Sequence, residues 1–268
     1  MTSSLPSSGA DLAAGEAGRT GPGLILVATP IGNLGDMGAR AVETLKSADA
    51  VACEDTRTTR ALLKHFGVTD KRLIACHDHN EDASAAGVVQ LIARGARVAL
   101  VSDAGTPAIS DPGYRVVRAV LDAGLEVSAV PGPSSVITAL TVSGLPTDRF
   151  VFLGFPPRKS GKRQRFFEPY ASLPATLVVM ESAQRLAETL QDARAVLGDR
   201  RAALALELTK AFERVWRAPL SELEALLGEP PKGEAVLVIE GAREKRERRN
   251  KYARFSKAQP GALDAEDE

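Results

Sequence analysis

Four stretches of this 268-residue chain place polar side chains, in three of them among glycines and prolines, directly after short apolar runs. The longest is V-A-L-V-S-D-A-G-T-P-A-I-S-D-P-G, Val98 to Gly113. Val98 to Val101 has the β-branched, fully apolar character of a buried parallel strand, and it stops at Ser102. Asp103 is then an acceptor-only carboxylate at the strand's C-terminal edge. Gly105, Pro107, Pro112 and Gly113 force a long irregular turn there, where open α/β sheets hold their ligands. A ligand with donor groups, such as a ribose or an amine, suits that position; the plainer alternative is a βα connection in which Asp103 caps the next helix. The other three stretches are A-T-P-I-G-N-L-G-D (Ala28 to Asp36), C-E-D-T-R (Cys53 to Arg57) and V-P-G-P-S-S (Val130 to Ser135). In the first, Pro30, Gly32 and Gly35 let backbone approach a ligand, but the G-K-[ST] ending of a phosphate loop is missing, which disfavours nucleoside triphosphate hydrolysis. In the last, Ser134 or Ser135 can cap a helix whose free amide groups could also receive a carboxylate.

Two further clusters carry charge or metal-ligand character. P-R-K-S-G-K-R-Q-R-F-F, Pro157 to Phe167, gathers Arg158, Lys159, Lys162, Arg163 and Arg165. Such a loop suits contact with RNA phosphates, the alternative being an ordinary solvated surface. Cys76-His77-Asp78-His79, with Cys53 or His65, could suggest zinc, but one short run without paired ligand spacing argues against it, and no metal is expected. Trp216 and most phenylalanines read as packing residues.

These loops need strands to hold them. Apolar strands alternate with helical stretches from Leu24 to Ser143, with strands at Leu24 to Ala28, Ala50 to Cys53, Leu73 to Ala75, Val98 to Val101 and Val127 to Val130, which predicts a parallel sheet with helices on both faces. After a break at Gly144 to Arg149, a second series follows. Its strands are expected at Phe150 to Leu153, Thr176 to Met180, Ala202 to Leu206 and Glu234 to Ile239, and its helices around Arg163 to Tyr170, Gln184 to Leu197 and Leu220 to Leu227. The class is α/β, with domains expected at 24–147 and 148–242. Residues 1–23, rich in Ser, Gly and Ala, read as a flexible leader, and 243–268 as a charged tail. Lys plus Arg number 34, as do Asp plus Glu, so no global field points to nucleic acid and any such partner must be met locally. Two cysteines and no apolar run of membrane-spanning length fit a reducing cytoplasm, without membrane or DNA partners.

The four loops, together with H-N-E (His79 to Glu81), P-R-K-S-G-K-R, E-L-T-K (Glu207 to Lys210) and K-G-E (Lys232 to Glu234), occur in an order that resembles the tetrapyrrole-methylase superfamily. The resemblance runs from Leu24 to about Gly241, and within the superfamily it is to the branch that methylates a cytidine ribose 2′-hydroxyl in small-subunit ribosomal RNA. It implies two α/β domains, S-adenosylmethionine in the cleft between them, a homodimer, and 16S rRNA within the small subunit as partner. Carried over by position, the cofactor contacts are Pro30, Ser102, Asp103, Ala104, Thr106, Ser135, Val136, Met180 and Glu234. One departure is E-S-A-Q-R, Glu181 to Arg185, where the family reads E-S-P-H-R, so that Gln184 replaces a histidine. Another is a short basic run in place of the family's helical C-terminal extension.

Methyl transfer to a hydroxyl is an in-line displacement, so positioning dominates and a proton acceptor helps. Candidates are Glu54 and Asp55 first, then Lys210 if it is uncharged, then His79, with Glu81 beside it. The competing expectation for Asp55 is an ion pair with Arg57. Two other functions stay open at this point: C-methylation of a tetrapyrrole corrin precursor, and a non-catalytic RNA-binding role in ribosome assembly.

Overall fold

The computed structural model describes residues 21–77, 81–227 and 233–243. The first half of the chain builds a five-stranded, fully parallel sheet in the order β3-β2-β4-β1-β5. Its strands are β1 (Gly23–Val27), β2 (Ala50–Cys53), β3 (Arg72–Ala75), β4 (Arg97–Val101) and β5 (Val127–Val130). Successive side chains of a strand point to opposite faces, and both faces are covered. Ile25, Val27, Val51, Ala99 and Val101 meet α1 (Ala39–Ser47) and α2 (Thr56–His65) on one side. Leu24, Ala52, Val98 and Leu100 meet α3 (Glu81–Ala93) and α4 (Tyr114–Asp122) on the other. The connections leaving the adjacent strands β1 and β4 therefore pass to opposite faces, which opens a crevice at their C-terminal ends.

The second half forms a separate five-stranded sheet in the order β6-β7-β10-β8-β9. Its strands are β6 (Phe150–Phe152), β7 (Thr176–Ser182), β8 (Arg201–Leu206), β9 (Arg214–Pro219) and β10 (Glu234–Ile239). Only β6 and β7 run parallel; the other neighbours are antiparallel. One face is covered by α6 (Ser160–Phe167), α7 (Leu186–Leu197) and α8 (Leu220–Leu226), with Phe167, Leu190 and Leu223 in the core. The other face receives α5 (Ser135–Val142), the last helix of the first half. Its Val136, Ala139 and Leu140 pack on Val178, Ala203, Ala205 and Val238, joining the two sheets through a shared core.

The main departure from the sequence reading is β9. R-V-W-R-A-P carries two arginines and ends in proline, features tolerated at the sheet edge, where β9 lies. Helix α6 starts at Ser160 rather than Arg163, and the turn Ala183–Arg185 is a separate 3-10 helix ahead of α7. No helix among the described residues is long and apolar enough to cross a membrane.

Candidate functional site

The loops after β1, β4 and β5 are tied together into one floor. Thr29 and Gly105 exchange backbone hydrogen bonds of 2.9 and 3.0 Å, and the Thr29 hydroxyl donates to the Ser102 carbonyl at 3.1 Å. Gly105 has φ +81°, a left-handed conformation that a side chain disfavours. The Thr106 hydroxyl donates to the Pro133 carbonyl at 3.2 Å, adding the V-P-G-P-S-S loop. Ser134 caps α5 by accepting from the Ile137 amide. The Asp55 amide donates to Asp103 at 3.2 Å, which attaches C-E-D-T-R as well. Four loops that are far apart in sequence thus form one hydrogen-bonded surface.

Above that floor lies a cleft of about 300 Å³ whose opposite wall comes from the second sheet. Asp103, Ala104, Thr106, Ser135 and Val136 line it from the first half, and Met180 and Glu234 from the second. Pro30 and Ser102 lie beneath the surface: Pro30 is buried, and Ser102 is held by hydrogen bonds from its hydroxyl to the carbonyls of Ala104 and Gly105, 3.3 Å each. Glu54 and Lys210 also line the cleft. Lys210 Nζ contacts Glu207 Oε1 at 3.0 Å, and the loop carrying both holds Glu207 and Thr209 at φ +48° and +65°, values L-residues adopt only where the surroundings enforce them.

Other candidates have structural roles. Asp55 caps α2 by accepting from the Arg57 amide at 2.7 Å and pairs with the Arg57 guanidinium at 3.0 Å; those hydrogen bonds hold its carboxyl below the usual range. Glu81 is buried and accepts from the amides of Gly113 and Arg115, 2.9 Å each, so it caps α4 from a neighbouring helix. His79 and the Asp78 of the zinc alternative fall outside the described residues. Burial pushes the Cys53 thiol up, which makes it a poor nucleophile. Gln184 is exposed in its 3-10 turn and does not line the cleft.

The basic loop divides in two. Arg158, Lys159, Lys162 and Arg165 are exposed and make no ion pair among the described residues. Arg163 departs from the phosphate-facing expectation. It is 1 % exposed, with Nε on Asp192 at 2.6 Å and Nη2 on Glu188 at 3.0 Å, and it anchors α6 to α7. Burial alone would raise Asp192, but hydrogen bonds from Gln164, Ser160 and Arg163 outweigh it and keep the carboxyl low.

Sequence reasoning missed Asp111, which lines the cleft with Glu54, Asp103 and Glu234. Burial pushes its carboxyl up to about 6; Glu54 adds to the rise, a hydrogen bond with Ser102 opposes it, and Asp103 and Glu234 contribute further. A signal was present in S-D-P-G, a second aspartate in the same Gly/Pro-rich loop as Asp103. A cleft with this concentration of carboxylates favours a ligand bearing positive charge or hydroxyl donors.

Comparison with known proteins accords with this geometry. Residues 23–224 match the family model of the tetrapyrrole (corrin/porphyrin) methylases. The chain is 48 % identical over 222 residues to the ribosomal RNA small subunit methyltransferase I of Escherichia coli O157:H7, covering 81 % of this chain and 77 % of that one. It is 48 % identical to the protein of the same name from Synechocystis sp., covering 82 % and 79 %. Among solved structures, diphthine synthase superposes with a TM-score of 0.62 at 16 % identity, covering 81 % of this chain and 89 % of that one. Uroporphyrin-III-C-methyltransferase from Thermus thermophilus gives 0.55 at 20 % identity, covering 80 % and 93 %. These two likenesses bear on the fold alone. By family model and by close relatives alike, the chain belongs to the tetrapyrrole methylases and, among them, to the family of the ribosomal RNA small subunit methyltransferases I.

Proposed function

We propose that this chain transfers a methyl group from S-adenosylmethionine to the ribose 2′-hydroxyl of a cytidine in 16S rRNA, acting as a cytoplasmic homodimer on the small ribosomal subunit. The observation that carries the reading is the meeting of the four loops of the first sheet with Met180, Glu234 and Lys210 of the second around one cleft. Its residues fit the cofactor by chemistry. Asp103 and Glu234 offer acceptors for an ammonium group and ribose hydroxyls, the start of α5 offers amides for a carboxylate, and Ile31, Val136 and Met180 offer apolar wall for a purine. The cofactor, when bound, supplies an electrophilic methyl carbon on a positively charged sulfur.

The residues of the chain then do the rest. The tied floor fixes the position of the donor side, and the second sheet presents the acceptor, so that most of the acceleration comes from alignment. Glu54, on the cleft wall, is placed to accept the proton that an attacking ribose hydroxyl would lose. Lys210, braced by Glu207, orients the acceptor from the opposite side. Arg158, Lys159, Lys162 and Arg165 offer phosphate contacts outside the cleft.

The test is incubation of the purified protein with methyl-labelled S-adenosylmethionine and, separately, small subunits, naked 16S rRNA and a tetrapyrrole precursor. Label on a cytidine ribose of the small subunit is the expected result. Label on the tetrapyrrole would replace this reading with C-methylation, and no label anywhere would replace it with a non-catalytic role in assembly.

A further inference from the structure

Most apolar side chains that line the cleft belong to a core. Ile31, Val136, Met180, Leu208 and Val236 all pack into the cluster between α5 and the second sheet. Two large ones do not: Ile109 and Phe155 line the same cleft, join none of the core clusters among the described residues, and are 46 % and 47 % exposed. Leaving a phenylalanine half in water forgoes much of the stabilisation its burial would contribute, so folding alone does not account for its position.

The two come from different halves of the molecule, on loops that approach each other beside the cleft. Ser110, next to Ile109, has its hydroxyl oxygen 3.7 Å from the point where a Cβ on Gly154, next to Phe155, would stand. The loop carrying Phe155 is fixed at its base, since the Met180 amide donates to the Gly154 carbonyl at 3.0 Å. On the other side, Ala108 and Ser110 hold φ of +67° and +62°, so the loop that presents Ile109 is held in a conformation L-residues avoid. Three residues beyond Phe155 begin the exposed cations Arg158, Lys159, Lys162 and Arg165, which lack acidic partners among the described residues. Three residues of chain span at most about 11 Å, so the positive strip begins within that distance of Phe155.

We infer that this end of the cleft is the acceptor-base subsite: an unpaired pyrimidine of the RNA, turned out of its stack, lies on the face of Phe155 with Ile109 across from it, while its flanking phosphates run along the basic strip. The inference rests on the reading above that the acceptor is a ribosomal RNA nucleotide. Its chemistry is that of single-strand recognition, in which an aromatic face binds any base and cations follow the backbone. It also assigns the two ends of the cleft, with the methyl donor toward Asp103 and Glu234 and the acceptor toward Phe155.

The experiment compares the wild type with Phe155→Ala, Phe155→Leu and Phe155→Trp. For each, kcat/KM for small subunits is measured at saturating S-adenosylmethionine, and the Kd for S-adenosylmethionine alone by calorimetry. Loss of one base-stacking contact predicts a fall in kcat/KM of roughly ten- to a hundredfold in the alanine variant. A comparable loss is expected in the leucine variant, near-wild-type values with tryptophan, and donor Kd within about twofold throughout. In addition, the emission of Phe155→Trp should be quenched by a short single-stranded RNA carrying an unpaired cytidine, whereas the wild type, reporting through Trp216, should not respond; this arm does not depend on the alanine variant folding. Full activity of Phe155→Leu, or a loss confined to donor affinity, overturns the subsite. A wild type that labels no rRNA overturns the underlying function instead, which separates the two failures.

Discussion

The side chain of Lys210 lies across the bare Cα of Gly32, so that even a methyl group at that glycine would collide with the lysine's Cγ. One residue belongs to the loop after β1 and the other to the loop after β8, so this crossing is one of the points where the two halves of the molecule touch beside the cleft. Replacing Gly32 by alanine should push Lys210 off Glu207 while leaving both cores intact. We expect methyl transfer to fall by about tenfold or more, with a melting temperature within about 2 °C of the wild type, since the change disturbs alignment rather than packing. Activity near that of the wild type would mean that Lys210 has no part in alignment.

Asp111 provides a pH signature. Its carboxyl is at about 6 in the fold against 3.8 in an ordinary setting, so between those values the folded protein retains a proton that the unfolded chain gives up. Stability therefore declines as pH rises through that window, and the cost of the ionised group is fully present above it. Asp111→Asn should melt higher than the wild type at pH 8, and the difference should close as pH falls below 3.8. A cationic ligand in the cleft also draws this proton off. Calorimetric titration with S-adenosylmethionine at pH 6, in buffers of different ionisation enthalpy, should show a fraction of a proton released, and the release should vanish at pH 8 and in Asp111→Asn.

Arg163 and its exposed neighbours should separate cleanly. Arg163→Ala leaves Asp192 buried without its guanidinium, and breaking such a pair costs about 3–5 kcal/mol, so a large drop in melting temperature is expected. Changing Arg158, Lys159, Lys162 and Arg165 together to glutamine should leave melting unchanged. It should instead flatten the dependence of RNA affinity on salt by roughly 3 in log–log slope, as expected for four lost phosphate contacts to a single strand. An unchanged slope would remove the basic strip from the RNA interface.

Asp103→Asn keeps an oxygen that can accept from the Asp55 amide, so the floor should persist, yet it removes the charge facing the cleft. Donor affinity should weaken by about ten- to a hundredfold, the range for losing a hydrogen bond to a charged group, with the melting temperature little altered. Calorimetry with S-adenosylmethionine reads the first quantity and circular dichroism the second.

How far the sequence could be read follows from what each residue's surroundings demand. The buried strands β1, β2 and, after Arg97, β4 are continuous apolar runs, and their positions and the loops behind them are visible from pattern alone. Edge strand β9 has no such pattern, because exposed Arg214 and Arg217 interrupt it and none of its residues is fully buried. The cleft lining was legible at Asp103, Ser135 and Glu234, since each belongs to a recognisable motif. Asp111 was not, because its significance comes from Glu54, Asp103 and Glu234, which only folding brings to it. Arg163 looks like its neighbours in a basic run; that it points inward is decided by Asp192, which lies on α7. Glu81 likewise could be seen as a carboxylate but not as the cap of a helix that begins at Tyr114.

The paired amide and carbonyl bonds between Thr29 and Gly105 extend the cross-linking of the sheet past its last strand residues and into the loops. Amide protons at these two positions should therefore exchange as slowly as those of neighbouring strands, although they sit in stretches rich in glycine and proline. A platform stiffened in this way cannot mould itself to an incoming partner, so whatever enters the cleft has to match a surface that is already set.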